Sequence, residues 1–229
     1  MMFRTISTAI MAGLVAGLCL FLVQRWTVLP LIRAAETYER ARSVPSGPHS
    51  DSAFEKEPMR SVSTLLGDMF VAIGFGLILT GIYALSGKYG WFYGLLWGAA
   101  GFATFQLGPA LVVAPAAPGM EVAALLLRQT GWLVAACSTG IGLALMVIFK
   151  GATRLIGVPF LLLPAVVFRG LLPIASATTS LPPLAALDHL FMVRALGSAL
   201  LFWIVLGTIS GYLFAKAENA AAAAHGFGG

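Results

Sequence analysis

Long apolar runs separated by short polar breaks make up most of the chain. Six such runs can be drawn, at residues 5–29, 62–85, 91–113, 125–149, 155–172 and 190–214. Each is close to the roughly 20 residues that an α-helix needs to cross the hydrocarbon core of a bilayer. The pattern therefore predicts an all-α integral membrane protein, a bundle of about six transmembrane helices that form a single domain over residues 1–229.

The fifth run differs from the others because it contains Pro159 and Pro164. Proline removes a helix N–H donor and clashes with the preceding turn, so this helix is expected to be kinked. A re-entrant segment, which enters and leaves the membrane on one side, is the alternative interpretation.

One long polar connection, at residues 33–60, follows the first run. Residues 31–42 predict a helix that continues out of the membrane, and Pro45-Ser46-Gly47-Pro48 predicts a loop. The alanine- and glycine-rich residues 218–229 predict a flexible tail. Small residues that recur four apart predict close approach of helix backbones in lipid, and here they are Gly13/Gly17, Gly90/Gly94/Gly98 and Gly207/Gly211.

Composition excludes a soluble globule, because 59% of the residues are hydrophobic and only 10% are charged, more apolar side chain than a core of this size can bury. The net charge of +5 does not indicate nucleic acid, since the basic residues stand singly at the ends of apolar runs. Cys19 and Cys137 lie inside apolar runs without metal-ligand spacing and are interpreted as small hydrophobic residues.

Two features of the sequence indicate opposite directions for the helices. Counting Lys and Arg alone favours the long connection on the cytoplasmic side. We nevertheless expect a multi-pass protein of the inner (cytoplasmic) membrane whose N-terminus is in the cytoplasm. Four of the basic residues lie within or at the edges of apolar runs and can have a functional role instead of setting the topology: Arg25, Arg128, Arg169 and Arg194. Arg4 and the apolar residues that follow also fit a secretory signal, but the run is long, lacks an A-x-A site and is expected to be retained.

Polar residues inside the apolar runs are expected to collect at one depth. Odd helices end and even helices begin on the side of the long connection, which brings together Gln24, Arg25, Asp68, Gln106, Arg128, Gln129, Arg169 and Arg194. Charges in a membrane usually face the bundle interior or a water-filled cavity, so this layer is a candidate functional site. Two structural alternatives stay open: arginines that reach out to lipid phosphates, and an Asp68–Arg128 ion pair.

Two stretches resemble a known family. Pro30-Leu31-Ile32-Arg33-Ala34-Ala35-Glu36-Thr37-Tyr38-Glu39, together with Pro118-Gly119-Met120-Glu121 followed by Arg128-Gln129 and Trp132, is similar to the signatures of the CbtA family, the proposed membrane subunit of a cobalt transporter. Leu163-Pro164 and the glycine-rich last run also match in kind.

The resemblance implies uptake of Co(II) for cobalamin synthesis and a small single-helix partner subunit, CbtB. The matching positions are Glu36, Tyr38, Glu39, Pro118, Gly119, Arg128 and Gln129. Two departures are evident: the long connection has only His49 where family members often have a histidine-rich stretch, and Ala165 stands where a histidine often follows the Leu-Pro. Besides this subunit and the lipid bilayer, a homo-oligomer is considered as a partner.

Carboxylates near the predicted outer mouth are the candidate ligands for the ion. Co(II) favours imidazole and accepts carboxylate, and no resident cofactor is expected. The candidates are Glu36, Glu39, Glu121, Asp188 and His189, since His49, His189 and His225 show no paired ligand spacing. Glu36 and Glu39 can instead pair with arginines, and Asp188 can instead be the N-cap of the last helix beside an interfacial His189.

Three functions are weighed. The first is a Co(II) uptake subunit, the second a transporter of an anionic or chelated substrate that uses the arginine layer, and the third a membrane scaffold that transports nothing. An enzyme is not expected, because the chain has no catalytic pairing, zinc motif or phosphate-binding glycine loop. Without such a loop, transport must be driven by a gradient or by another subunit.

Overall fold

The structure, a computed structural model, describes residues 2–42, 52–118, 124–168 and 182–226. Over these ranges it is helical with short connections and contains no strand. The helices are α1 (Met2–Thr27), α2 (Leu29–Arg42), α3 (Ser52–Ser86), α4 (Trp91–Phe102), α5 (Gly108–Ala110), α6 (Leu125–Ile148), α7 (Gly157–Phe168) and α8 (Pro182–Gly226). A π-helical turn, Ala103–Leu107, joins α4 to α5, and a 3₁₀ turn, Gly151–Ile156, precedes α7. The predicted all-α class is confirmed.

Five helical segments are long and apolar enough to cross a membrane: Phe3–Thr27, Pro58–Ser86, Leu125–Ile148, Gly151–Phe168 and Ala185–Ala223. The predicted third run contributes a helical path from Trp91 to Ala110 that is divided by the π-helical turn. Together with the composition, these segments identify an integral membrane protein of the multi-pass class.

Several boundaries differ from those drawn on the sequence. α3 begins at Ser52 and α8 spans Pro182–Gly226, so both are longer than the apolar runs inside them. Residues 218–226 extend α8, because alanine has the highest intrinsic helix propensity. The flexibility expected of the tail stays a prediction. α2 agrees with the helix predicted after the first run, and the loop predicted at residues 45–48 lies outside the described residues.

The chain divides into two compact units. The expected single transmembrane domain stays a prediction. The first unit comprises Met1–Arg25, Pro45–Ala99 and Ser198–Gly229, and the second comprises Trp26–Val44 and Ala100–Gly197. α4 and α8 each contribute to both.

The first unit is held together where glycines meet backbone. A Cβ atom on Gly13 of α1 would lie 2.6 Å from Ile73 Cα of α3, and one on Gly207 of α8 would lie 2.9 Å from Gly98 Cα of α4. The Gly90 N–H donates to the Gly211 carbonyl at 3.1 Å. These helix backbones therefore approach as closely as the four-residue glycine spacing predicts.

Polar groups join further helices of the first unit. The buried Tyr83 hydroxyl of α3 lies 3.0 Å from Ser210 Oγ and 3.3 Å from the Gly207 carbonyl of α8. Arg4 Nη1 lies 3.4 Å from Glu218 Oε1. The start of α1 and the last turns of α8 therefore lie at the same end of this unit.

In the second unit, α7 packs against α6. Gly142 and Gly157 bring the two backbones into direct contact. Ser138 Oγ of α6 donates to the Phe160 carbonyl of α7 at 2.6 Å. Phe160 lies four residues before Pro164, which has no N–H to offer that carbonyl, so the serine replaces a helix hydrogen bond that proline removes. The kink itself stays a prediction.

Candidate functional site

A cavity of about 380 Å³ lies in the second unit, between the helical path through α5 and the beginning of α6. It is lined by Gln106, Pro109, Ala110, Val113, Ala114, Pro115, Leu125, Arg128, Gln129 and Trp132. The lining is apolar apart from one guanidinium, two carboxamides and the indole ring. Ligand sites in proteins commonly combine an apolar wall with a few polar groups in this way.

The π-helical turn presents Gln106 to the cavity. Such turns occur mostly as single insertions within α-helices and often at functional sites. Pro109 follows the turn and lacks the N–H that would continue the regular hydrogen-bond ladder, which favours the wider turn before it. A Cβ atom on Gly108 would collide with the Thr139 hydroxyl of α6, so glycine allows this close approach without displacing that side chain.

The first turns of α6 supply the cation of the cavity. α6 begins after Ala124, whose methyl side chain has no acceptor to cap the helix, and the Arg128 N–H donates to the Ala124 carbonyl at 3.1 Å. Arg128 and Trp132 are four residues apart and so lie on one face of the helix. Arg128 is half-buried and Gln129 is exposed. Among the described lining residues, Arg128 is the sole charged side chain.

The structure brings part of the predicted polar layer together. Gln106, Arg128 and Gln129 line the same cavity. Arg194 Nη1 instead donates to the carbonyl of Thr27, the last residue of α1, at 3.0 Å. Arg25 Nη1 donates to Ser61 Oγ at 3.4 Å within the first unit. Arg169 lies outside the described residues, and Asp68 and Arg128 belong to different units, so their pairing stays a prediction.

The structure describes only some of the predicted cobalt ligands. Among the described side chains no group of three His, Cys, Asp or Glu residues could hold a metal ion. Glu36 is half-buried on α2 and His189 is exposed on α8. The side chain of Glu39, and Glu121 entirely, lie outside what the structure describes. A shared ligand role for these residues therefore stays a prediction.

Asp188 has a structural contact that the sequence does not indicate. Its Oδ1 accepts a hydrogen bond of 2.8 Å from the backbone N–H of the buried Ala117. The N-cap interpretation is wrong, since α8 begins at Pro182 and Asp188 lies inside it. Ala117 follows Ala114 and Pro115, which line the cavity, so Asp188 fixes the path of the chain along one wall.

Replacing Asp188 with alanine is expected to leave the Ala117 N–H buried without an acceptor, at a cost of about 1–3 kcal/mol in the free energy of unfolding. Asp188→Asn keeps an oxygen at the same place and is expected to cost less than half as much. Thermal unfolding of the purified variants measures the difference. An equal loss in both variants, with cobalt binding lost as well, would instead support a ligand role for the carboxylate.

Comparison with known families agrees with the resemblance seen in the sequence. Residues 2–215 match the family model described as "Probable cobalt transporter subunit (CbtA)". No curated protein matches the chain significantly, and no solved structure does.

Proposed function

Because the chain belongs to the CbtA family of probable cobalt transporter subunits, we propose that it is the membrane subunit of a transporter that takes up Co(II) for cobalamin synthesis. The observation that carries this proposal is the family match, which extends from the first residue of α1 into the part of α8 that belongs to the first unit. A transport role also agrees with a chain made of helices long enough to cross a bilayer.

The chain crosses the inner membrane six times in this proposal. The five candidate spans are five of these crossings, and the helical path from Trp91 to Ala110 is the sixth. The Arg4–Glu218 contact supports an even number of crossings, because it keeps the beginning of α1 and the end of α8 at one end of the first unit. The N-terminus is then placed in the cytoplasm.

The cavity of the second unit is the proposed place where cargo contacts the protein. Carboxamide oxygens of Gln106 and Gln129 can face a cobalt ion or donate from their NH₂ groups to its ligands. Arg128 cannot coordinate a cation, because its guanidinium has donors and no acceptor; it binds acceptor oxygens, and those of anions most strongly. The path for cobalt therefore passes a fixed positive charge.

A second candidate, transport of cobalt in an anionic or chelated form, is favoured by this charge. No carboxylate is among the described residues of the cavity wall, so nothing there offsets the repulsion between Arg128 and a bare dication. A chelate that carries carboxylates would instead receive charge-assisted hydrogen bonds from Arg128. The third alternative, a scaffold that transports nothing, predicts no cargo contact in this cavity.

The partner is proposed to be a small single-helix subunit of the CbtB type. The description of the family as a subunit implies a second component. A homo-oligomer is compatible with the exposed apolar side chains of the spans, which are also what a lipid bilayer covers.

Growth of a deletion strain tests the proposal. Cells that lack the chain are expected to grow poorly when cobalt is limiting and cobalamin must be made, and added cobalt or cobalamin should restore growth. Other divalent metals serve as the control. Rescue by a different metal, or full growth without the chain, would overturn a role in cobalt supply.

The carboxylates of α2 are the proposed collectors of the ion. Changing Glu36 and Glu39 together to glutamine is expected to lower cobalt uptake at limiting concentration by about tenfold, with little effect at saturation, because two carboxylates one turn apart concentrate a dication. Radioactive cobalt uptake measures this. The matched control changes Glu55 and Glu57, two acidic residues of the same connection, to glutamine. Equal effects in the two pairs would show general attraction of cations and no capture site.

A further inference from the structure

α3 carries a carboxylate inside a candidate membrane span. Asp68 is the one acidic residue between Pro58 and Ser86, and it lies about three helical turns beyond the start of that span. Ionisable residues at such depth are costly to place in lipid and usually serve transport of ions or protons. Asp68 is not part of the cavity described above, which lies in the second unit.

The surroundings of Asp68 leave one of its oxygens enclosed. Asp68 Oδ2 is buried and has no hydrogen-bond partner among the described residues, while the residue as a whole is half-buried. α1 passes directly over this turn: a Cβ atom on Gly17 would lie 3.0 Å from the Asp68 carbonyl oxygen and 2.8 Å from Met69 Cα. The glycine therefore lets the α1 backbone close over the turn that holds the carboxylate.

None of the described charged or titratable groups on the packed helices forms a hydrogen bond with this oxygen. On the same half of α1 they are Cys19 and Arg25, and Arg25 donates to Ser61 about two turns away along α3. Arg60 on α3 lies at that same level. α8 contacts α3 through Phe75 and Tyr83, and it carries no charged residue from 195 to 215.

An ionised carboxylate in this position lacks the donors that would offset its desolvation. A single proton on Oδ2 removes that cost, whereas a Co(II) ion needs several ligands and finds no cluster of three ligating side chains among the described residues. We propose that Asp68 is a proton-binding site that couples cobalt transport to the proton gradient: the carboxylate takes up one proton when it is accessible from one side and releases the same proton to the other. This inference rests on the proposed function, and it selects a gradient from the two driving forces, a gradient or another subunit, that the sequence leaves open.

The coupling is tested by separating concentrative uptake from exchange. The full transporter, with its partner subunit, is reconstituted into liposomes, and cobalt uptake is driven by an imposed pH gradient. Asp68→Asn, a permanent mimic of the protonated side chain, is expected to lose gradient-driven accumulation while it keeps exchange of external for internal cobalt. Asp68→Glu is expected to keep both. Gradient-driven accumulation that survives in Asp68→Asn would overturn the inference.

A chemical probe tests the protonated state without transport. Dicyclohexylcarbodiimide partitions into lipid and reacts with protonated carboxyl groups, and the adduct is located by peptide mass spectrometry. We expect labelling of Asp68 that increases as the pH is lowered and disappears in Asp68→Asn at equal membrane abundance. Absence of the adduct, or labelling that does not change with pH, would contradict proton binding.

The two tests fail in different ways. If the unmodified transporter moves no cobalt, the proposed function is wrong, whatever the label shows. If it moves cobalt but Asp68→Asn is unaltered, only the coupling role is wrong. Recovery of gradient-driven uptake when Asp68→Asn is combined with Arg128→Gln would also overturn the inference, because it would assign Asp68 to an ion pair.

Discussion

Replacing Arg128 with glutamine is expected to lower uptake of cobalt in an anionic or chelated form by about tenfold or more. Arg128 is the sole charged side chain among the described residues of the cavity, and a hydrogen bond from a guanidinium to an anionic group contributes about 1.5–3 kcal/mol, which is about a tenfold or larger change in affinity. Glutamine keeps donors and much of the length but removes the charge. Uptake of radioactive cobalt by cells that contain the full transporter is the measurement.

Two control variants separate the effect of where the charge lies from the effect of the guanidinium geometry. Arg154→Gln makes the same charge change at an exposed site in the 3₁₀ turn of the same unit, and it should leave uptake intact. Arg128→Lys keeps the charge without the planar fork and is expected to be intermediate. Unchanged uptake in Arg128→Gln would remove the cavity from the path of the cargo. Increased uptake would show that a bare dication passes there and that the arginine opposes it.

The same variant identifies the chemical form of the cargo. If cobalt travels as an anionic complex, an excess of citrate should sustain uptake in the unmodified protein and have no such effect in Arg128→Gln. If the free ion is carried, citrate should lower uptake in both proteins, because it removes free Co(II).

Replacing Gly207 with leucine is expected to prevent stable folding of the first unit. A Cβ atom there would collide with the Gly94 carbonyl and lie 2.9 Å from Gly98 Cα, and both obstacles are backbone atoms that no rotamer change can move. Overpacking at such a contact costs about 3 kcal/mol or more, a large part of the stability of a typical domain. Membrane abundance and unfolding of the purified protein in a denaturing detergent measure the loss.

Gly197 on the same helix provides the control. Nothing lies within 4 Å of a Cβ atom built there. Gly197→Leu is therefore expected to leave stability unchanged, or to raise it slightly because leucine favours a helix more than glycine does. Equal loss in the two variants would show that α8 tolerates leucine poorly wherever it is placed, and the close crossing of α4 and α8 would lose its explanation.

Features that depend on local composition could be predicted from the sequence. The length of the apolar runs predicted the helices that can span a membrane. The small residues four apart predicted the backbone contacts of Gly94 and Gly207, because a helix places such residues on one face. The gathering of Gln106, Arg128 and Gln129 at one cavity also follows from their places near matching ends of successive helices.

Features that depend on contacts distant in sequence could not be predicted. The hydrogen bond from Ala117 to Asp188 joins residues on separate segments, and no local pattern indicates it. The start of α8 was open to prediction, since Pro182 and Pro183 are typical of a first helical turn. For the π-helical turn at Gln106 the available signal was Pro109, whose missing N–H disturbs the ladder but does not specify a wider turn.

The central claim is that this chain forms part of a path for cobalt, and cobalt flux through the purified transporter tests it most directly. The chain and its partner subunit are reconstituted into liposomes, and entry of radioactive cobalt is followed under an imposed gradient. The account predicts entry that requires the chain and that excess unlabelled cobalt competes away. Liposomes with the unmodified complex that admit cobalt no faster than empty ones would contradict it.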